Sequence, residues 1–286
     1  MSSTTGSSGA AAGPSVARKA MISRVKVVAG SAYLVLLLVA SFALPLPHSP
    51  TATDPTAILL PPSPTHWLGT NSVGTDVLSR TVKATSTDLS LALAGTLAAL
   101  LIGVPLGIWL ASARKFGERF MRVLDAFQAL PLLVLILALV ALSNNQVWMI
   151  VVAVALYGGP VYIRLVRSEV LSLREARFVE SAHAMGASTF WIMRRHLLPN
   201  VREVVLAQTS LVAAGALLGV TALSFLGIGV QPPTPSWGSM ISQDSAALVQ
   251  GHWWPVLGPG AAIFLCIVAF NLVADGLREI GEESWR

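Results

Sequence analysis

The groups in this chain that could do chemistry are few, and their spacing argues against most of the chemistry they could do. The five histidines, His48, His66, His183, His196 and His252, include no HxxxH or HxxH pair, so spacing argues against a zinc site. Cys266 is the single cysteine and lies in an apolar run, which leaves no disulfide framework and no thiolate cluster. The lysines Lys19, Lys26, Lys83 and Lys115 are followed by Ala20, Val27, Ala84 and Phe116. None precedes Ser or Thr, so the phosphate-cradling GxxxxGK[ST] loop is missing. No GxSxG turn and no HExxH helix occurs either. Glu169, Glu175 and Glu180 interleave with Arg174 and Arg177 at helical spacing, which suits an ion-paired, solvated face. No catalytic constellation is expected, and no cofactor or metal.

The elements around these groups are apolar. Only 12% of the 286 residues are charged and 54% are apolar, and mean hydropathy is +0.69. A soluble chain of this size carries about twice that charge, so a polytopic membrane protein is expected. Six charge-poor runs read as membrane helices: about residues 27–44, 89–110, 126–142, 147–163, 204–228 and 257–274. Pro105, Pro131 and Pro160 lie in or beside these runs, where membrane helices tolerate kinks. Gly103-x-x-x-Gly107 and Gly215-x-x-x-Gly219 offer small faces for helix packing. Basic residues before the first run, and Ser41-Phe42-Ala43 after it, fit a cleaved signal peptide loosely. The length of the run and the spans that follow favour a retained helix.

These runs divide the chain into a disordered cytosolic tail (1–20), a first membrane helix (21–45), an extracytoplasmic segment (46–88), a core with five more helices (89–278) and a cytosolic C-terminal tail (279–286). In the extracytoplasmic segment, Gly69-Thr70-Asn71 and Gly74-Thr75-Asp76 predict tight turns. Asp76 is expected to cap a short surface helix ending near Lys83.

With the amino terminus inside, every Lys and Arg except Arg80 and Lys83 falls on the cytosolic side. The positive-inside rule therefore places both termini in the cytosol. The basic excess is thus a topological signal spread over short loops, not a nucleic-acid surface. No charge is expected near the centre of a span, which argues against a proton- or ion-driven carrier. Energy must then come from a partner, unless the chain is a passive channel or scaffold. A membrane-embedded hydrolase lacks paired polar residues at mid-depth.

One cytosolic stretch stands out, residues 178–200, FVESAHAMGASTFWIMRRHLLPN. It reads as two short helices hinged at Gly186, where a left-handed conformation costs little. Ser188 or Thr189 can cap the second helix and Pro199 ends it. Ala182, Ala184, Gly186, Ala187 and Ser188 make a narrow helix able to enter a groove, while Arg194 and Arg195 suit lipid headgroups.

Glu180-Ser181-Ala182-x-x-x-Gly186, then nine residues, then His196-Leu197-Leu198-Pro199, resembles the EAA loop of ABC importer permeases. Ser181 stands for the first alanine and His196 for the usual isoleucine. Phe225 through Gly238 (FLGIGVQPPTPSWG) resembles a hallmark of the C-type permease subunit of dipeptide, oligopeptide and nickel importers. Leu68-Gly69-Thr70 with Gly74 through Arg80, and Phe270 through Arg278, resemble further signatures of that family. The chain departs from it at Asn71, usually aspartate, at Thr75, usually arginine, near Ser86, often basic, and in its ending Glu282-Glu283-Ser284-Trp285-Arg286. The lost charge at Asn71 and Thr75 bears on salt bridges from the outer segment to a partner.

The resemblance implies an all-α type I ABC importer permease fold in a prokaryotic cytoplasmic membrane, importing short peptides or, by the same machinery, nickel chelates or another small solute. It implies a sister B-type permease, two ATPase domains that hold the ATP and Mg, and an extracytoplasmic substrate-binding protein. An EAA-type loop over about 168–202 would couple to the ATPase through Glu180, Ser181, Ala182, Gly186, Ala187, Ser188, His196, Leu198 and Pro199. The outer turn would supply Gln231, Pro232, Pro233, Pro235, Trp237 and Gly238 to the binding protein or outer gate.

Overall fold

A computed structural model describes residues 14–129, 131–143, 145–174 and 198–284. Regular structure among them is helical: α1 (Pro14–Ala43), α2 (Val77–Ser112), α3 (Arg114–Gln128), α4 (Leu132–Leu142), α5 (Trp148–Arg174), α6 (Leu198–Phe225), α7 (Trp237–Val249) and α8 (Trp254–Ser284). Five of these, α1, α2, α5, α6 and α8, contain stretches long and apolar enough to cross a membrane.

Packing fixes the directions in which the helices run. α2 and α5 make the most extensive contact, through small residues at matched depths. A Cβ on Gly95 would stand 2.5 Å from the Val154 side chain, and one on Gly103 2.7 Å from Tyr162 Cβ. Both partner positions advance together, so α2 and α5 run parallel. A return crossing must therefore lie between Ser112 and Trp148. It holds α4, of only 11 residues. The run expected over 126–142 is broken because Pro131, with no amide hydrogen to give, stands at the start of α4 in an extended conformation (ψ 125°). α3, which bears exposed Glu118, Arg119 and Arg122, precedes it as a separate amphipathic helix.

α1 and α8 run antiparallel. Gly30 faces the carbonyl of Ala269, and Gly276 faces that of Ser23. Lys26 Nζ meets Glu279 Oε1 at 2.5 Å, and Ser23 Oγ donates to Glu279 Oε2 at 2.7 Å. The start of α1 and the end of α8 thus share one face of the bundle, here the Glu279 face. The start of α2, the end of α6 and the start of α8 share the opposite, Asp76 face. The core between them runs from Ile150, Leu217 and Leu223 near the Asp76 face to Tyr162 and Val166 deeper along α5.

Two element boundaries differ from the sequence reading. α1 is already helical at Pro14, the first described residue, so positions 14–20 are helical rather than tail. α2 starts at Val77 and continues without a break to Ser112, where a separate surface helix and a span from residue 89 were expected. At 36 residues it is about 54 Å long against a hydrocarbon core of about 30 Å, so its first turns project beyond the bilayer.

Candidate functional site

The expected coupling residues Glu180, Ser181, Ala182, Gly186, Ala187, Ser188 and His196 lie outside the described residues. The helices on either side of them are described. The described part of α6 runs from Leu198, so Leu198 and Pro199 are helical. Glu203, in the second turn of α6, lies beside Gly281 of α8. The 175–197 connection is therefore rooted at the Glu279 face.

The opposite face is a knot of polar groups tied by the turns that precede α2. Asn71 Oδ1 accepts from the amides of Val73 (3.1 Å) and Thr75 (2.8 Å). Gly69 and Gly74 take positive φ, 69° and 76°, which the two tight turns require. Thr70 Oγ1 donates to the carbonyl of Ala57 and accepts from the amide of Leu60. Asp76 caps α2, its Oδ2 accepting from the amide of Ser79 at 2.8 Å.

The knot is buried and joins distant parts of the chain. Asn71, Thr75, Arg80 and Asp244 are each no more than 5% exposed. Arg80 Nη1 donates to Thr75 Oγ1 (3.3 Å), the amide of Ser72 donates to Asp244 Oδ1 (3.0 Å), and Trp254 Nε1 donates to the carbonyl of Thr70 (3.1 Å). Positions 71 and 75 thus face groups of their own chain. Charge at either would act inside this knot.

The outer turn divides in two. Gln231, Pro232, Pro233 and Thr234 are exposed, whereas Pro235, Ser236, Trp237 and Gly238 are buried. Trp237, expected at an interface or gate, is enclosed by its own chain. Its amide donates to Asp88 Oδ2 at 2.7 Å and its indole Nε1 to the carbonyl of Thr81 at 2.9 Å. Gly238 sits against the carbonyl of Thr221, with no room for a Cβ. Of the expected outer contact residues, Gln231, Pro232 and Pro233 remain free to meet a partner.

Asp88 stands just ahead of the charge-free run that begins at Leu89, in the helix that carries that run. It lies eleven residues into α2, about 16 Å along the helix, and is fully buried. The sequence reading ended the outer segment at this residue because a charge-free run begins at Leu89. The available signal was a lone carboxylate directly before that run.

The described residues thus form a helical bundle with five helices long and apolar enough to cross a membrane. Its fold is similar to a chain of an inward-facing MetNI methionine ABC transporter, with a TM-score of 0.57 and 16% identity, covering 72% of this chain and 96% of that one. Residues 103–286 match the family described as the binding-protein-dependent transport system inner membrane component, and the chain belongs to it. It is 36% identical over 245 residues to the dipeptide transport system permease protein DppC of Alkalihalophilus pseudofirmus, covering 85% of this chain and 80% of that one. It is also 36% identical over 219 residues to the glutathione transport system permease protein GsiD of Pectobacterium atrosepticum, covering 76% and 72%. To the DppC of Bacillus subtilis it is 34% identical over 234 residues, covering 82% and 73%.

Proposed function

We propose that this chain is the transmembrane subunit of an ATP-driven importer that moves short peptides across the cytoplasmic membrane. The observation that carries the reading is the alignment with relatives named for dipeptide and glutathione transport, each along three-quarters or more of the chain. In this reading the Glu279 face is cytosolic, as the basic residues require, and both termini lie there. The connection rooted at that face, residues 175–197, docks on an ATPase subunit. ATP binding and hydrolysis belong to the partner, because this chain lacks a phosphate loop.

The coupling is a population shift. ATP closes the ATPase pair, whose docking free energy differs between inward- and outward-open arrangements of α5 and α6. A sister permease completes the pathway. Gly215 and Gly219 on α6 have nothing among the described residues within 4 Å of an added Cβ, which leaves a small-residue face for that sister. A substrate-binding protein delivers peptide to the Asp76 face, where the exposed Gln231–Pro233 turn is placed to meet it.

The test joins co-purification to uptake. A tagged chain should bring an ATPase subunit through mild detergent, and membranes should take up a labelled dipeptide when ATP is supplied. Gly186→Val and Glu180→Lys should each lower uptake at least about fivefold, the scale of a typical coupling free energy, and weaken ATPase recovery at equal abundance. Wild-type uptake by either variant rejects the coupling role. A chain that transports without any ATPase rejects the importer reading.

A further inference from the structure

A second cluster at the Asp76 face lies apart from the coupling connection and shares only Asp76 with the knot before α2. His48, in the stretch after α1, and His66, ahead of α2, stack their rings with centroids 4.4 Å apart and planes at 29°. Both present Nδ1 to the same oxygen. His66 Nδ1 is 2.9 Å from Asp76 Oδ1, and His48 Nδ1 is 3.8 Å from it. The three donor atoms lie within 4.8 Å of one another.

All three residues are anchored from behind. Asp76 is 4% exposed and gives its Oδ2 to the cap of α2, which aims Oδ1 at the two rings. The amide of His48 donates to Ser79 Oγ at 3.2 Å, which holds that residue against the first turn of α2. Ser63 brackets His66: its amide donates to the His66 carbonyl (2.9 Å), and its Oγ accepts from the His66 amide (3.1 Å). Such outer bonds orient ligands before an ion arrives.

One atom in the cluster is left over. His48 Nδ1 is shut off from solvent and has no hydrogen-bond partner among the described residues. At 3.8 Å its approach to Asp76 Oδ1 is too long for a hydrogen bond. Two ligands held about 2.0–2.1 Å from a tetrahedral metal stand roughly 3.4 Å apart. The observed 2.9 and 3.8 Å lie on either side of that value, within reach of small side-chain rotations.

We propose that His48, His66 and Asp76 form a binding site for a divalent transition cation of the zinc class. Two imidazoles and one carboxylate suit zinc, nickel, copper or cobalt, whereas calcium and magnesium favour all-oxygen sets. The ion bridges the stretch after α1, the turn before α2 and the cap of α2, so it clamps the outer segment onto the helix that carries Asp88. The Asp76 carboxylate stands between the cation and the positive end of that helix. The ligands come from two loops and a helix cap, which is why helical His spacing gives no sign of them.

The test uses the full-length chain, free of any affinity tag, purified in mild detergent after chelator treatment. Calorimetric titration with zinc chloride should show one saturable site per chain, and zinc should raise Tm by mass action. Cobalt(II) in the same site should give the visible absorption of a low-coordinate ion. His48→Ala keeps the His66–Asp76 bond and the helix cap, so its melting without metal should match the wild type. Its zinc affinity should fall at least about tenfold, the lower end of what even outer-shell changes cost. His252→Ala, which removes a histidine of the same face outside the cluster, should bind zinc as the wild type does. Absence of saturable zinc binding, or wild-type affinity in His48→Ala, overturns the proposal.

Discussion

Trp237 and Asp88, 149 positions apart, meet through a 2.7 Å hydrogen bond from the Trp237 amide to Asp88 Oδ2. The Trp237 indole makes a second bond to α2, at the carbonyl of Thr81. The first residue of α7 is thus tied twice to α2, and its indole is fully buried. A buried amide that loses its acceptor costs about 1–3 kcal/mol. Asp88→Ala should therefore destabilise the chain by that amount, and Asp88→Asn by less, since its amide oxygen still accepts. Thermal unfolding in detergent checks the order. Equal Tm for wild type and Asp88→Ala would show that the bond contributes nothing.

Trp237 separates hydrogen bonding from packing. Trp237→Phe keeps most of the apolar ring and removes the Nε1 donor, leaving the Thr81 carbonyl short of one partner, for a cost of about 1 kcal/mol. Trp237→Ala empties a site that is 0% exposed, and large-to-small changes of that kind cost about 3–5 kcal/mol. A Phe variant as unstable as the Ala variant would mean that the indole bond, not ring burial, holds α7 in place.

The two small-residue faces should behave differently. A Cβ on Gly103 would stand 2.7 Å from Tyr162 Cβ and 2.8 Å from the Gly159 carbonyl, so α2 and α5 would have to separate. Gly103→Val should destabilise the chain by at least about 1–3 kcal/mol, as overpacking does. Gly215 has open space, and Gly215→Val should leave the melting of the isolated chain nearly unchanged while lowering recovery of a sister permease. Equal loss of Tm in both variants would remove the distinction.

The legible part of this fold was the part written in runs. Charge-poor stretches located α1, α5, α6 and α8, because lipid demands continuous apolar surface over a fixed length. Pro131 hid the short α4 inside a longer apolar run, although the parallel α2 and α5 require a crossing there. The outer end of α2 was misread for the same reason: Arg80, Lys83 and Asp88 look like loop residues until their partners are known. Turn chemistry at Gly69, Asn71 and Gly74, and the cap at Asp76, could be read locally, since each uses neighbours within a few residues. Asp88 with Trp237, and His48 with His66 and Asp76, could not, because tertiary packing alone brings them together. Only the motif residues of the coupling connection and its flanking helices frame its role, with Leu198 and Pro199 lying in α6.

Asn71 tests whether the knot before α2 is held by geometry or by charge. Its Oδ1 accepts two amides, while its Nδ2 is buried without a hydrogen-bond partner among the described residues. Arg80 reaches the same turn through Thr75 Oγ1, and its Nε also has no such partner. Asn71→Ala should cost about 1–3 kcal/mol, because the amides of Val73 and Thr75 lose their acceptor inside the protein. Asn71→Asp keeps both bonds, removes the orphaned donor and sets a carboxylate in the turn that Arg80 binds. A buried carboxylate is costly alone, but a neighbouring guanidinium offsets that cost. The Asp variant should therefore melt at or above the wild type, and the Ala variant below it. If Asn71→Asp melts below Asn71→Ala, desolvation outweighs the attraction, and Arg80 does not stabilise negative charge at this turn.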